Sequence, residues 1–193
     1  MKYLKMLGLA AVAAMALMAV TAGGASATTL EVGGTVQSGA VTISASAESS
    51  ITLADTENTQ ANTCSESSVH GSTTVFSGTK VTGPLSELSF KKCTREEVVV
   101  TSPGQLFIEW ESGTTSGWVY SENADVDVPT AFGFSVTCTT PASGTTIGTL
   151  TGSASGKATM SIAAVLSCGP LLPSASWKGS YWITSPEKLG VVS

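Results

Sequence analysis

The chain has 193 residues, with nine lysines or arginines against fourteen acidic residues and a formal net charge of −5. An acidic chain without a Lys/Arg cluster is a poor candidate for binding nucleic acid or anionic membrane, and the same balance disfavours polyanionic glycans. From residue 28 onward serine and threonine make up about a third of the chain and glycine is abundant, while helix-filling Glu, Lys and Leu are scarce; this is a strand-and-turn composition.

The N-terminus reads as a targeting segment. Lys2 and Lys5 form a basic region, residues 7–20 are apolar, and Ala25-Ser26-Ala27 fits a small-x-small cleavage site. Residues 1–27 are expected to be a helical signal peptide and residues 28–193 a single β domain. A retained anchor is the competing reading, but the apolar run is short for a membrane span. No cysteine sits at the cut, which argues against a lipoprotein, and no second run of spanning length follows. After cleavage the chain is therefore not expected to be an integral membrane protein. Without Lys2 and Lys5, seven basic residues face fourteen acidic ones, a net charge of −7.

In chain order, Leu30 and Val32 start a short strand, and the alternating pairs Val41/Ile43 and Ile51/Leu53 suggest weakly apolar strands at an edge. The segment 55–63 (DTENTQANT) reads as a solvated loop. Leu88 and Phe90 alternate with Ser89 and Lys91. Val98 to Val100 is an apolar triplet stopped by the turn Ser102-Pro103-Gly104. QLFIEWE, SGTTSG and WVY then form the clearest hairpin, with Leu106, Ile108 and Trp110 on one face. Ala124 to Val128 is another short strand.

The stretch from Ala131 to Cys168 is the best specified. Phe132, Phe134, Val136 and Cys138 alternate with small polar residues, and so do Met160, Ile162, Ala164 and Leu166. Two or three antiparallel strands are expected there. SWKGSYWITS follows as a strand, with Trp177, Tyr181 and Ile183 on one face and Lys178, Ser180 and Trp182 on the other. Leu189 to Val192 closes the chain. Turn signals at this spacing point to an all-β fold, an antiparallel β-sandwich or a barrel-like sheet pair.

Four cysteines in an exported chain are expected to form two disulfides. The preferred pairing is Cys64–Cys93 with Cys138–Cys168, which closes two separate loops; the nested pairing Cys64–Cys168 with Cys93–Cys138 is the main rival. There is no CxxC, so neither a zinc site nor a reactive thiol is expected. No metal and no cofactor is expected.

Catalytic signals are weak. His70, the one histidine, lies in SSVHGST with no GxSxG elbow nearby, and reads as an exposed loop residue. Glu109 and Glu111 share a strand face at a spacing near that of acid–base pairs, but paired surface glutamates are commonplace. Asn123, Asp125 and Asp127 resemble the start of a calcium loop but lack its sixth-position Gly and twelfth-position Glu.

Aromatic residues carry the best binding argument. Trp182 shares its face with polar residues, and Trp118 and Tyr120 alternate on the return strand of the hairpin. Exposed Trp and Tyr stack on sugar rings or anchor a protein partner.

The leader MKYLKMLGLAAVAAMALM, LSFKKC around Cys93, GTLTGSASGKATMSIAAVLSC and WKGSYWITSPEKL together resemble a family of uncharacterised secreted β-rich proteins of Gram-positive soil bacteria. Members often carry an aromatic after the third cysteine, where this chain has Thr139-Thr140. The resemblance implies export and a shared fold, and no assigned activity.

The leading expectation is a non-enzymatic domain, secreted or associated with the cell envelope, that binds polysaccharide or an envelope protein through Trp182, Trp118 and Tyr120. A small hydrolase using Glu109 and Glu111 and a structural or adhesive surface protein are the alternatives.

Overall fold

The computed structural model describes residues 27–55, 61–74, 78–130, 133–141 and 143–193. The expected signal peptide, apart from Ala27, lies outside the described residues, as do Ala131 and Phe132. Among the described residues there are fifteen strands and no helix. They are β1 (Thr29–Val32), β2 (Thr35–Val36), β3 (Thr42–Ala47), β4 (Ile51–Asp55), β5 (Asn62–Ser72), β6 (Lys80–Cys93), β7 (Val99–Ser102), β8 (Gln105–Trp110), β9 (Gly117–Glu122), β10 (Asp125–Pro129), β11 (Ser135–Thr139), β12 (Thr145–Thr151), β13 (Thr159–Cys168), β14 (Ser174–Ser185) and β15 (Leu189–Val192).

Of sandwich and barrel, the chain forms the barrel. Strands β3, β5, β6, β8, β9, β12, β13 and β14 pair antiparallel in that order, and β14 returns to β3 to close the ring. Consecutive strands are neighbours, so the path is an up-and-down meander. Four arms are broken part-way along. β4 continues β3 between β14 and β5, and β7, β10 and β11 continue β8, β9 and β12 toward the far end. In that far half β6 and β7 are not hydrogen-bonded, so the ring there stays open.

The breaks have local causes. Between β7 and β8 the chain turns at Pro103-Gly104. Gly104 has φ +69°, and a Cβ there would lie 2.3 Å from the Glu122 carbonyl oxygen, so no larger residue fits. Between β9 and β10, Asn123 takes φ +54°, a conformation asparagine tolerates better than most residues.

Inward positions form one core. In β13, Met160, Ile162, Ala164 and Leu166 are buried, while the alternating Ser161, Ala163, Val165 and Ser167 are exposed. Trp177 and Tyr181 of β14 point inward. The Trp177 ring meets Phe90 edge-on at 5.7 Å and Tyr181 at 6.4 Å, separations at which such pairs attract. The Tyr181 hydroxyl donates to Ser67 Oγ (2.9 Å), which donates to the Ser89 carbonyl (2.6 Å). The polar end of a fully buried tyrosine is thereby satisfied.

A second sheet, in the order β15-β1-β2, covers one end of the barrel and buries Leu30, Leu189 and Val191. It is sewn to the barrel turns by Val191 N–H to the Thr115 carbonyl and by Ser153 N–H to the Leu189 carbonyl. Thr28 Oγ1, which donates to the Thr79 carbonyl, accepts from Trp110 N–H.

The preferred disulfide pairing forms. Cys64–Cys93 ties β5 to β6, and Cys138–Cys168 ties β11 to β13. The loops span 29 and 30 residues, and by chain entropy each restricts the unfolded state by about 3.5 kcal/mol. Two disulfides indicate an oxidising environment. No helix among the described residues is long and apolar enough to cross a membrane.

Three expectations are corrected. The residue 41–53 strands are not an edge; β3 and β4 close the ring. Phe134 does not join Val136 and Cys138 in the core, because β11 begins one residue later and leaves the ring 41% exposed at the rim. Asn62, expected in a solvated loop, is fully buried. Its carbonyl oxygen accepts from Arg95 N–H and its amide donates to the Glu96 carbonyl, which pins the turn after β6.

Burial pushes the Tyr181 phenol up to about 12, against smaller opposing contributions from Ser67 and the Trp177 indole. The folded pKa exceeds the ordinary value of 10.0, so this stabilisation is complete below pH 10 and is lost between there and the folded value. Stability should fall by about 2 to 3 kcal/mol over that window. Denaturant unfolding of wild type and Tyr181→Phe at stepped alkaline pH checks this: the variant should lose less, and equal slopes would contradict it.

Candidate functional site

The ring's alternation sorts side chains by face. Core positions are apolar, while the outward positions of β13 and of the last part of β14 are mainly small or polar. A membrane-spanning barrel shows the reverse, with an apolar lipid-facing band. Large exposed aromatics therefore stand out.

On β9, Val119 points inward and is 1% exposed, which turns Trp118 and Tyr120 outward. Trp118 is 43% exposed. Cross-strand register builds its surroundings. Glu109 of β8 faces Trp118, and Phe107 faces Tyr120. On the other flank Thr149 of β12 faces Trp118, and Thr146 faces Tyr120. One strand further on, Lys80 of β6 faces Glu109, and Thr82 faces Phe107. Directly opposed side chains of this kind have Cβ atoms about 5 Å apart.

The polar groups are coupled. Lys80 Nζ lies 3.6 Å from Glu109 Oε2 and 3.9 Å from the centre of the Tyr120 ring. The ammonium thus sits between a carboxylate and an aromatic face. Partial burial, followed by the hydrogen bond and charge of Glu109, raises the Tyr120 phenol above its ordinary value, while Thr146 opposes the shift. One Tyr120 face is covered by lysine, and Trp118 remains the more open ring.

Trp182 is also outward, as expected, but half-buried between Thr159 of β13 and Ser46 of β3. Three strand steps separate it from Trp118. In an eight-stranded ring that is about 135° around the wall, so the two indoles face different directions. Trp118 and Tyr120 are brought together, and Trp182 is not.

Glu109 and Glu111 do not share a strand. β8 ends at Trp110, and Glu111 opens the tight turn, its carbonyl accepting from Thr114 Oγ1 at 2.8 Å. Glu109 is engaged by Lys80. His70 is not in a loop but in β5, where its Nδ1 lies 2.9 Å from Ser44 Oγ. Glu87 is its cross-strand neighbour on β6, but Glu87 accepts from Ser68 Oγ at 3.5 Å. Asp125 and Asp127 lie in β10, and Asp127 accepts from Thr137 Oγ1 at 2.6 Å. No group of three His, Cys, Asp or Glu residues suited to hold a metal occurs among the described residues.

A second polar feature lies where β3 stops. A hollow of about 240 Å³ is lined by Ser46, Ser65, Ser68, Ser89, Glu66 and Lys91. Glu66 is paired to Lys92 at 2.5 Å. No aromatic side chain lines this hollow, which leaves the Trp118 patch as the surface suited to stacking.

Sequence reasoning missed Lys80 and Phe107 as parts of the patch. Alternation alone turns Lys80 outward, but its place beside Glu109 depends on the β6–β8 pairing. Comparisons with protein-family models, with curated proteins and with solved structures give no match to the chain.

Replacing Glu109 with Gln removes the carboxylate that raises Tyr120. The Tyr120 phenol should then move down toward its ordinary value without reaching it, because burial remains. Tyrosinate absorbance during an alkaline titration reads this, and an unchanged profile would contradict the coupling.

Proposed function

We propose that this protein is an exported, disulfide-stabilised β-barrel that binds a neutral glycan on its outer wall, with Trp118 as the stacking residue. The observation that carries this reading is a tryptophan 43% exposed on an otherwise largely polar wall, flanked by Glu109 and Thr149 and adjoined by Tyr120 and Phe107. An indole face offers apolar area to the C–H face of a sugar ring. Glu109, Lys80 and Thr149 supply acceptors and donors at its margin. The Lys80–Glu109 pair is locally neutral and the chain as a whole is acidic, which favours an uncharged polymer over a polyanion.

The resemblance in the leader and around the cysteines supports export, as do the two disulfides. Trp182, weighted most heavily by the sequence, becomes secondary because it is half-buried and faces elsewhere.

Retention of the non-reduced protein on cellulose, chitin and isolated cell walls tests the reading. At least one polymer should retain the wild type. Trp118→Ala should weaken retention by about tenfold, and Trp182→Ala by much less. No retention on any polymer, or retention indifferent to Trp118, would overturn it. Reducing-sugar release that disappears in Glu109→Gln would replace binding with the hydrolase reading.

A further inference from the structure

The barrel interior holds a line of three small voids, of about 50, 10 and 10 Å³, and none has room for a sugar. The outer wall does. Register sets four outward side chains in one row across β6, β8, β9 and β12: Lys80 faces Glu109, Glu109 faces Trp118, and Trp118 faces Thr149. Neighbours in such a row have Cβ atoms about 5 Å apart. A pyranose stacked on Trp118 therefore has the Lys80–Glu109 pair beside one rim and the Thr149 hydroxyl beside the other.

The pair is a donor and an acceptor held side by side. Lys80 Nζ and Glu109 Oε2 are 3.6 Å apart, longer than a direct hydrogen bond, and the two side chains are 40% and 36% exposed. The ammonium has three N–H groups and the carboxylate about four lone-pair sites. The Tyr120 ring under Nζ and the Tyr120 hydroxyl bonded to Glu109 position both groups, so a ligand does not have to order them. Vicinal hydroxyls are the complement. Their oxygens lie about a hydrogen-bond length apart, so one accepts from Lys80 while its neighbour donates to Glu109. Hydrogen bonds to charged groups are the stronger kind.

We propose that Lys80 and Glu109 make the wall selective for a neutral 1,4-linked glucan, by gripping the free vicinal diol at C2 and C3 of the unit stacked on Trp118. The selection rests on the stacking role of Trp118. In a 1,4-linked chain O2 and O3 stand free on one rim of each ring, and the C6 hydroxyl projects from the opposite rim. With the diol toward β8, the C6 hydroxyl faces Thr149, and the chain axis runs along β9. A 1,3-linkage consumes O3, and an N-acetylated amino sugar replaces O2 with an amide. Either change leaves one member of the Lys80–Glu109 pair without its hydroxyl.

The test is a titration of the non-reduced, ¹⁵N-labelled protein with cellohexaose, laminarihexaose (the same sugar, 1,3-linked) and chitohexaose (the same linkage, acetamido at C2), following the Trp118 indole N–H. Cellohexaose should bind at least about tenfold more tightly than either of the others. Lys80→Met and Glu109→Met each remove one charged end and keep the length of the side chain. Each should weaken cellohexaose about tenfold and change laminarihexaose, which only stacks, by less than about twofold; that second arm also shows that the variants are folded. Laminarihexaose or chitohexaose bound as tightly as cellohexaose, or cellohexaose affinity unchanged in either variant, would overturn the selection and leave Trp118 as a stacking residue. A Trp118 indole unmoved by all three would overturn the stacking role and the selection with it.

Discussion

The structure depends on strand β14 pairing on both sides at once. Along one edge it takes nine residues of β13 in unbroken register, Thr159 opposite Trp182 through Ser167 opposite Ser174. Along the other edge it takes β3 and then β4, from the opposite end of the domain. Without that second edge the meander would be an open, twisted sheet with two free edges. With it, every second residue of eight arms must fit a bore of fixed width. The alternation in β13 and the placement of Trp177 and Tyr181 follow from that requirement. Gly104 answers a local constraint instead, because the chain there passes too close to the Glu122 carbonyl for any side chain.

Closure also decides where function can reside. The bore is committed to side chains, apart from the line of small voids, and the wall between turns is mainly serine, threonine and charged residues. A ligand larger than those voids has to be met from outside. The wall is convex, so residues three arms apart look in different directions, and only side chains on adjacent arms cooperate. Lys80, Phe107, Glu109, Trp118 and Tyr120 satisfy that condition on β6, β8 and β9. Trp182 does not. The two disulfides hold the half of the barrel away from the small sheet, where β6 and β7 are unpaired, and so reinforce the less complete end.

Much of this was legible because it is local. Period-two alternation identified β13, β14 and the β8–β9 hairpin, and it assigned Trp177 inward and Trp118, Tyr120 and Trp182 outward. Cysteine spacing favoured the pairing that forms. The illegible parts are the non-local ones. Residues 41–53 are weakly apolar and resemble an edge, and nothing in their own pattern signals that they meet a strand more than a hundred residues away. Phe134 obeys the alternation of its segment but lies one residue outside β11, where the bore has ended. Asn62 sits in a polar run, and its burial is explained only by the turn at Arg95 and Glu96 that it holds. The Trp118 patch was half legible: its aromatics follow from alternation along one strand, and its lysine from the pairing of two others.

The central claim is that the closed wall presents one glycan-binding surface, centred on Trp118. Backbone and indole chemical-shift mapping of the non-reduced protein with cellohexaose and chitohexaose tests it most directly. Perturbations with one of these should cluster at residues 80, 107, 109, 118, 120 and 149 and fade around the wall before Trp182. Perturbations centred on Trp182 or on the serine-lined hollow beside β3, or none with either oligosaccharide, would contradict it.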